Sequence, residues 1–182
     1  EIAAQLEGRK DLRQALVFLE EYGIRGQTAL DIYRTYGDEL YTVIRHWPYR
    51  LYYDIDGIGF EKADEIAQRT GAVTDPDERI RAAIIYALNL SLAEGNVCLP
   101  ADELTSGCVK LLKNETDEES IDIQLSNLAI DGRVYILRNG MDGRDARVYL
   151  RRCYLMEQET AAMLTELDRA EEDAGDERNL LD

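Results

Sequence analysis

Apolar residues recur at three- and four-residue intervals along most of the chain, so the pattern predicts a mainly α-helical protein. Leu12, Ala15, Leu16, Phe18 and Leu19 mark a helix over 12–22, with Asp11 as its expected N-cap. A break at 23–26 precedes a second helix over 27–36, which turns Ala29, Ile32 and Tyr33 inward and closes at Gly37. A third covers 38–46, with Tyr41, Ile44 and Trp47 expected to pack inward, and Pro48 opens a short helix over 49–54. After the glycines at 57 and 59, Ala63, Ile66 and Ala67 begin another. Asp75, Pro76 and Glu78 form a helix start, and Ile80, Ala83, Ile84, Ala87 and Leu88 give that helix its core face as far as about 94. Two further helices carry Leu104, Val109, Leu111 and Leu112, then Ile121, Leu125, Leu128 and Ala129, the second capped by Thr116 or Asp117. The period falls to two over 133–138 and 146–151, which predicts a β-hairpin. A last helix over 156–169 is expected to turn Ala162, Met163 and Leu167 inward.

Two of the breaks are copies of each other. At an offset of 34 residues Gly23 falls on Gly57, Ile24 on Ile58, Ala29 on Ala63 and Ile32 on Ile66, the mark of an internal repeat. In the second copy Gly57 and Gly59 flank Ile58, with Ile55 before them. Such a stretch turns sharply and enters a helix whose first N–H groups lack partners, where an anion is favoured. Each copy resembles the helix-hairpin-helix motif, and the pair, with a connecting helix between, resembles the tandem domain in which each hairpin grips one strand of DNA. The resemblance implies backbone contact through Gly23, Ile24, Arg25, Gly26 and Thr28, and through Gly57, Ile58, Gly59 and Lys62. The copies depart from the family pattern: Arg25 replaces a second glycine, and Gln27 and Glu61 stand where Lys is common. Glu61 would repel a phosphate, which makes the first hairpin the better candidate. A turn without a ligand is the plainer reading of the same residues.

Charge opposes that assignment. The 182 residues carry a net charge of −16, and an acidic body repels phosphate at long range. Screening confines the repulsion to roughly 10 Å at moderate salt, so a local site survives. Much of the acidity follows Glu157, in a tail read as a solvated linker. Cys98, Cys108 and Cys153 are scattered and odd in number, and there is one histidine, His46, and no C-x-x-C pair. A disulfide framework and a zinc site are therefore not expected, and a reducing, cytoplasmic setting is. No apolar run approaches the ~20 residues of a membrane span. No phosphate-binding G-x-x-x-x-G-K-[ST] loop is present, and His46, between Arg45 and Trp47, reads as packing, so no catalytic residue is assigned. Asp77, where helix-hairpin-helix glycosylases keep an aspartate, is explained by the helix start around it.

Three helices followed by a hairpin resemble a winged helix. Its expected third helix carries Glu118, Glu119 and Asp122 and suits phosphate poorly, whereas Arg133, Arg138, Arg144, Arg147, Arg151 and Arg152 gather on the hairpin. Arg138, Arg144 and Arg147 are candidate wing contacts, to DNA or to protein. The whole arrangement, with His46, Trp47, Pro48 and Tyr49 and the run from Ile55 to Asp64, resembles the N-terminal region of bacterial RecD-like DNA helicases, also described as RecD/TraA family or exodeoxyribonuclease V alpha-type proteins. That resemblance implies a tandem helix-hairpin-helix domain over 1–74, a winged-helix-like unit over 75–156, and a helix and acidic linker over 157–182 leading to a motor domain. It implies a non-catalytic accessory region of an ATP-dependent 5′–3′ helicase, with DNA repair or recombination as its setting and with ATP and Mg bound only by the motor. Weak, sequence-independent and steeply salt-dependent DNA binding is expected. The competing reading is an interaction module that docks the motor or a replication or repair protein.

Overall fold

The computed structural model describes residues 2–71, 75–139 and 145–179, and its contacts divide the chain into two units, 1–86 and 87–182. The first unit is helical throughout its described residues. It contains α1 (Ile2–Glu21), α2 (Gly26–Tyr36), a single 3-10 turn (Gly37–Glu39), α3 (Leu40–His46), α4 (Arg50–Asp54), α5 (Phe60–Thr70) and the start of α6 (Pro76–Ala93). The repeat seen in the sequence is repeated in burial. Ile24 and Ile58 are 4% and 5% exposed, and Ala29, Ala63, Ile32 and Ile66 are closed off from solvent. Each buried isoleucine stabilises the pair by about 1.5–3 kcal/mol, which fixes the angle at which each hairpin leaves the core.

Two sequence expectations fail here for identifiable reasons. Asp11 lies inside α1 and caps nothing, because the helix already begins at Ile2. Trp47 is 47% exposed; the ring that fills the core is Tyr49, 0% exposed and stacked on Phe60 with centroids 5.9 Å apart. Tyr49 is held there by its hydroxyl, which donates to Asp64 at 2.6 Å. A buried phenol keeps its apolar body in the core only when its O–H finds such an acceptor.

The second unit holds the end of α6, β1 (Cys98–Pro100), α7 (Ala101–Leu111), α8 (Glu118–Ile130), β2 (Val134–Asn139), β3 (Asp145–Leu150) and α9 (Arg151–Asn179). The strands form an antiparallel sheet in the order β1-β3-β2, with Val134 opposite Leu150 and Ile136 opposite Val148. Leu104 and Cys108 from α7, Leu112 just after it, and Ile121, Leu125 and Leu128 from α8 are buried, as are Val134, Val148 and Leu150 of the sheet. Asp117 caps α8 as expected, its carboxylate accepting the Ser120 N–H at 2.7 Å. Strand β1 has no counterpart in the sequence reading: three residues ending in Pro100 show no alternation, and proline is tolerated because β1 is an edge. The expected inward face of the last helix is also absent. Met163 and Leu167 are each 63% exposed, and Ala162 is exposed as well. No described helix is long and apolar enough to cross a membrane.

Candidate nucleic-acid interface

The first hairpin tip is built by the way α1 ends. Gly23 takes a left-handed φ of +71°, its N–H donates to the Glu20 carbonyl at 2.9 Å, and the Ile24 N–H donates to Leu19 at 3.1 Å. These two bonds close the helix and bury Ile24 against Leu19. They also remove Gly23 and Ile24 from the set of amides open to a ligand. What remains is the start of α2, where Arg25 precedes the helix in extended backbone and no side chain caps it. The N–H groups of Gly26, Gln27 and Thr28 therefore have no partner within α2.

The second tip differs in detail. Gly57 has φ +87° with open space where a Cβ would stand, and the Ile58 N–H bonds the Ile55 carbonyl at 3.3 Å. Gly59 precedes α5 in extended backbone, again with no side-chain cap, and the Ala63 N–H reaches the Gly59 carbonyl at 3.2 Å. That leaves the amides of Phe60, Glu61 and Lys62 without a partner within α5. Gly23, Gly26 and Gly57 are exposed, and Gly59 is half-buried.

The structure brings the two tips together through Lys62. Its ammonium lies 3.2 Å from where a Cβ on Gly23 would stand, so the cation of the second hairpin sits over the bend of the first. It also holds Glu65 at 2.8 Å, and that bond keeps the Glu65 carboxyl below the usual range. Arg25 is similarly engaged, with Glu20 at 3.0 Å on the surface. Exposed pairs of this kind contribute about 0–1 kcal/mol, so either cation can exchange its carboxylate for a phosphate. The Gln27 amide is tied to Asp31 at 2.8 Å. Beside the first tip, Leu16, Ile24, Ala29 and Leu30 line an open depression of about 400 Å³.

Two tyrosine–aspartate bonds hold the hairpins in place, and neither is visible in the residue pattern. Tyr36, at the end of α2, donates to Asp54 of α4 at 2.7 Å, and Arg50 stands 3.5 Å from the same carboxylate. Asp64 of α5 is 6% exposed and accepts from Tyr49, from Arg79 of α6 at 2.7 and 3.0 Å, and from Gln68 at 3.0 Å. Burial, followed by the neighbouring carboxylate, pushes the phenol pKa of both Tyr36 and Tyr49 far up. Both therefore remain donors throughout the working pH range. A tyrosine preceding proline-linked helices could have suggested packing, but nothing in the spacing pairs Tyr49 with an aspartate fifteen residues on.

The wing arginines do not share a face. Arg138 lies opposite Ala146 and Arg147 opposite Leu137, and alternation along paired strands puts these two pairs on opposite sides of the ribbon. Both side chains are exposed. Arg144 lies outside the described residues. Arg152 is bonded to Asn89 at 2.7 Å, and Arg151 to the Gly132 carbonyl at 3.4 Å.

Two glycine-bearing bends, related by an internal repeat and each opening into an uncapped helix, define a tandem helix-hairpin-helix protein. The family model described as the ATP-dependent RecD2 DNA helicase HHH domain matches residues 8–98, which takes in both hairpins. The chain belongs to that family. A DNA-binding, accessory role is what this match supports in general.

Proposed function

We propose that the chain is a non-catalytic accessory region of an ATP-dependent 5′–3′ DNA helicase and contacts the DNA backbone without reading bases. The observation that carries this reading is the Lys62 ammonium set against Gly23, which brings a cation of the second hairpin to the bend of the first. Gly26, Gln27 and Thr28 at one tip and Phe60, Glu61 and Lys62 at the other supply the amides, and Arg25 and Lys62 supply charge. Gly23, Ile24, Gly57, Ile58 and Gly59 shape the bends. The repeat over 1–74 acts as the DNA-engaging domain, 75–156 as a winged-helix-like unit, and 157–182 as the connection toward a motor that binds ATP and Mg. The unpaired thiols of Cys98, Cys108 and Cys153 agree with a cytoplasmic setting.

Fluorescence anisotropy with labelled single-stranded and duplex oligonucleotides at low salt tests the reading. Arg25→Glu and Lys62→Glu are expected to weaken binding of every sequence alike. Equal affinity for wild type and both variants would remove the hairpins from the interface. A second reading, an interaction module toward the motor or a replication or repair protein, is favoured by one specific feature, the acidic Glu61 at the mouth of the second helix.

A further inference from the structure

Within the second unit, helix α9 has no side chain covered along a long stretch. Cys153 is buried, yet every residue from Leu155 to Asp168 is exposed. Among them, Met156 (65%), Met163 (63%), Leu164 (57%) and Leu167 (63%) are large and apolar. An amphipathic helix owes most of its stability to the burial of such a face.

The spacing of that face is that of a helix-pairing seam. Met156, Thr160, Met163 and Leu167 alternate at intervals of four and three, with Leu164 beside them. Where α9 leaves the body, Leu92 and Val97 stand across from it and complete an open apolar groove of about 650 Å³. Methionines in such a seam adapt to a partner's side chains. The borders of the seam are mainly acidic: Glu157, Glu159 and Glu166 flank it, and Arg152, which lines the groove at its start, is already bonded to Asn89. A second copy of the chain carries the same acidic borders, so self-pairing sets carboxylates against carboxylates. A helix with apolar knobs and Lys or Arg on both edges meets the seam and its borders together.

We infer that this face of α9 is a docking surface for a basic amphipathic helix of a partner protein. The inference does not depend on the DNA reading, since no hairpin residue takes part.

The test uses the full chain and three synthetic helical peptides of three heptads. One has Leu at the seam and Lys at the edges, one has Leu and Glu, and one has the residues of the first peptide shuffled out of register. Isothermal titration is expected to show the Lys-edged peptide binding about tenfold or more tighter than either other. The double variant Met163→Gln, Leu167→Gln keeps every charge and is expected to lose about the same factor. These positions are exposed, and circular dichroism checks that the fold is kept. Equal binding of the shuffled peptide, or no effect of the double variant, would reduce the result to general attraction between opposite charges and overturn the proposal. So would a stable dimer of the chain in sedimentation that Met163→Gln, Leu167→Gln dissolves.

Discussion

Asp64 is the joint on which the second hairpin turns, and removing it should cost more than any surface change in the chain. Its carboxylate is 6% exposed, and its partner Arg79 has a side chain 16% exposed. Four hydrogen bonds converge on it, two of them from one guanidinium. Asp64→Leu leaves the Arg79 cation without its buried counter-charge, which costs about 3–5 kcal/mol. It also deprives the Tyr49 hydroxyl of its acceptor, and an unsatisfied buried donor costs about 1–3 kcal/mol, although the two losses share one cause and do not add in full. A net loss of about 4 kcal/mol would consume a large part of a domain's usual ~5–15 kcal/mol. Trp47, the one tryptophan, lies in the first unit, so its fluorescence in a urea titration reports on that unit alone. The decisive comparison is a cycle with Arg79→Met. The double variant should recover about 2 kcal/mol relative to the sum of the singles, because neither charge is then stranded. Additivity within about 0.5 kcal/mol would refute the argument that the pair acts as a buried unit.

Other expectations follow from single sites. Gly57→Ala meets no atom within 4 Å, so its cost is backbone strain alone, about 1–2 kcal/mol at φ +87°, read as a lower melting temperature. Burial pushes the Cys108 thiol up to about 12. Ellman's reagent at mildly alkaline pH should label the half-exposed Cys98 in the native protein and Cys108 only after urea is added. Native labelling of Cys108 would contradict its burial. The Ser120 N–H holds the Asp117 carboxyl below its usual value of 3.8. The folded pKa is the lower one, so the cap's contribution is present above 3.8 and lost as pH falls through the folded value. The difference in melting temperature between wild type and Asp117→Ala should therefore shrink as the pH drops below that point.

What could be read from the sequence was whatever a short window contains. The Ile24 and Ile58 anchors, the Asp117 cap and the hairpin strands each depend on neighbours within a few residues, and the repeat is one such local pattern recurring 34 residues on. Long-range choices were not legible. Trp47 and Tyr49 are both aromatic and two residues apart, and what selects Tyr49 for the core is the Asp64 acceptor from another helix. The alternation that found β2 and β3 needs several residues, so β1 escaped it. Met163 and Leu167 fit an inward helical stripe as well as an outward one, because periodicity specifies a face and not what covers it. At the site, glycine spacing located both bends. It did not show that the amides of Gly23, Ile24 and Ile58 are used to close the turns, or that Lys62 crosses from its own hairpin to the other.

That reassignment changes the expected response to salt. Binding carried by lysines and arginines releases about 0.9 counterion per duplex phosphate neutralised, and a long row of cations gives a steep slope. Here the described tips hold two cations, Arg25 and Lys62, and each must first surrender a carboxylate, Glu20 or Glu65. Two full contacts give log(1/Kd) a slope of at most about −1.8 against log salt. Amide contacts release no protein-bound cation and add nothing to it. The net charge of −16 acts the other way, since added salt screens long-range repulsion between the body and DNA. The measured slope should thus lie between zero and about −2, shallower than the glycine motif alone leads one to expect. Glu20→Gln and Glu61→Gln should tighten binding at low salt, the first by releasing Arg25 and the second by clearing a carboxylate from the helix mouth. A slope of about −4 or steeper would mean that several further cations touch phosphate, and the exposed Arg138 and Arg147 of the ribbon would then be the residues to substitute first.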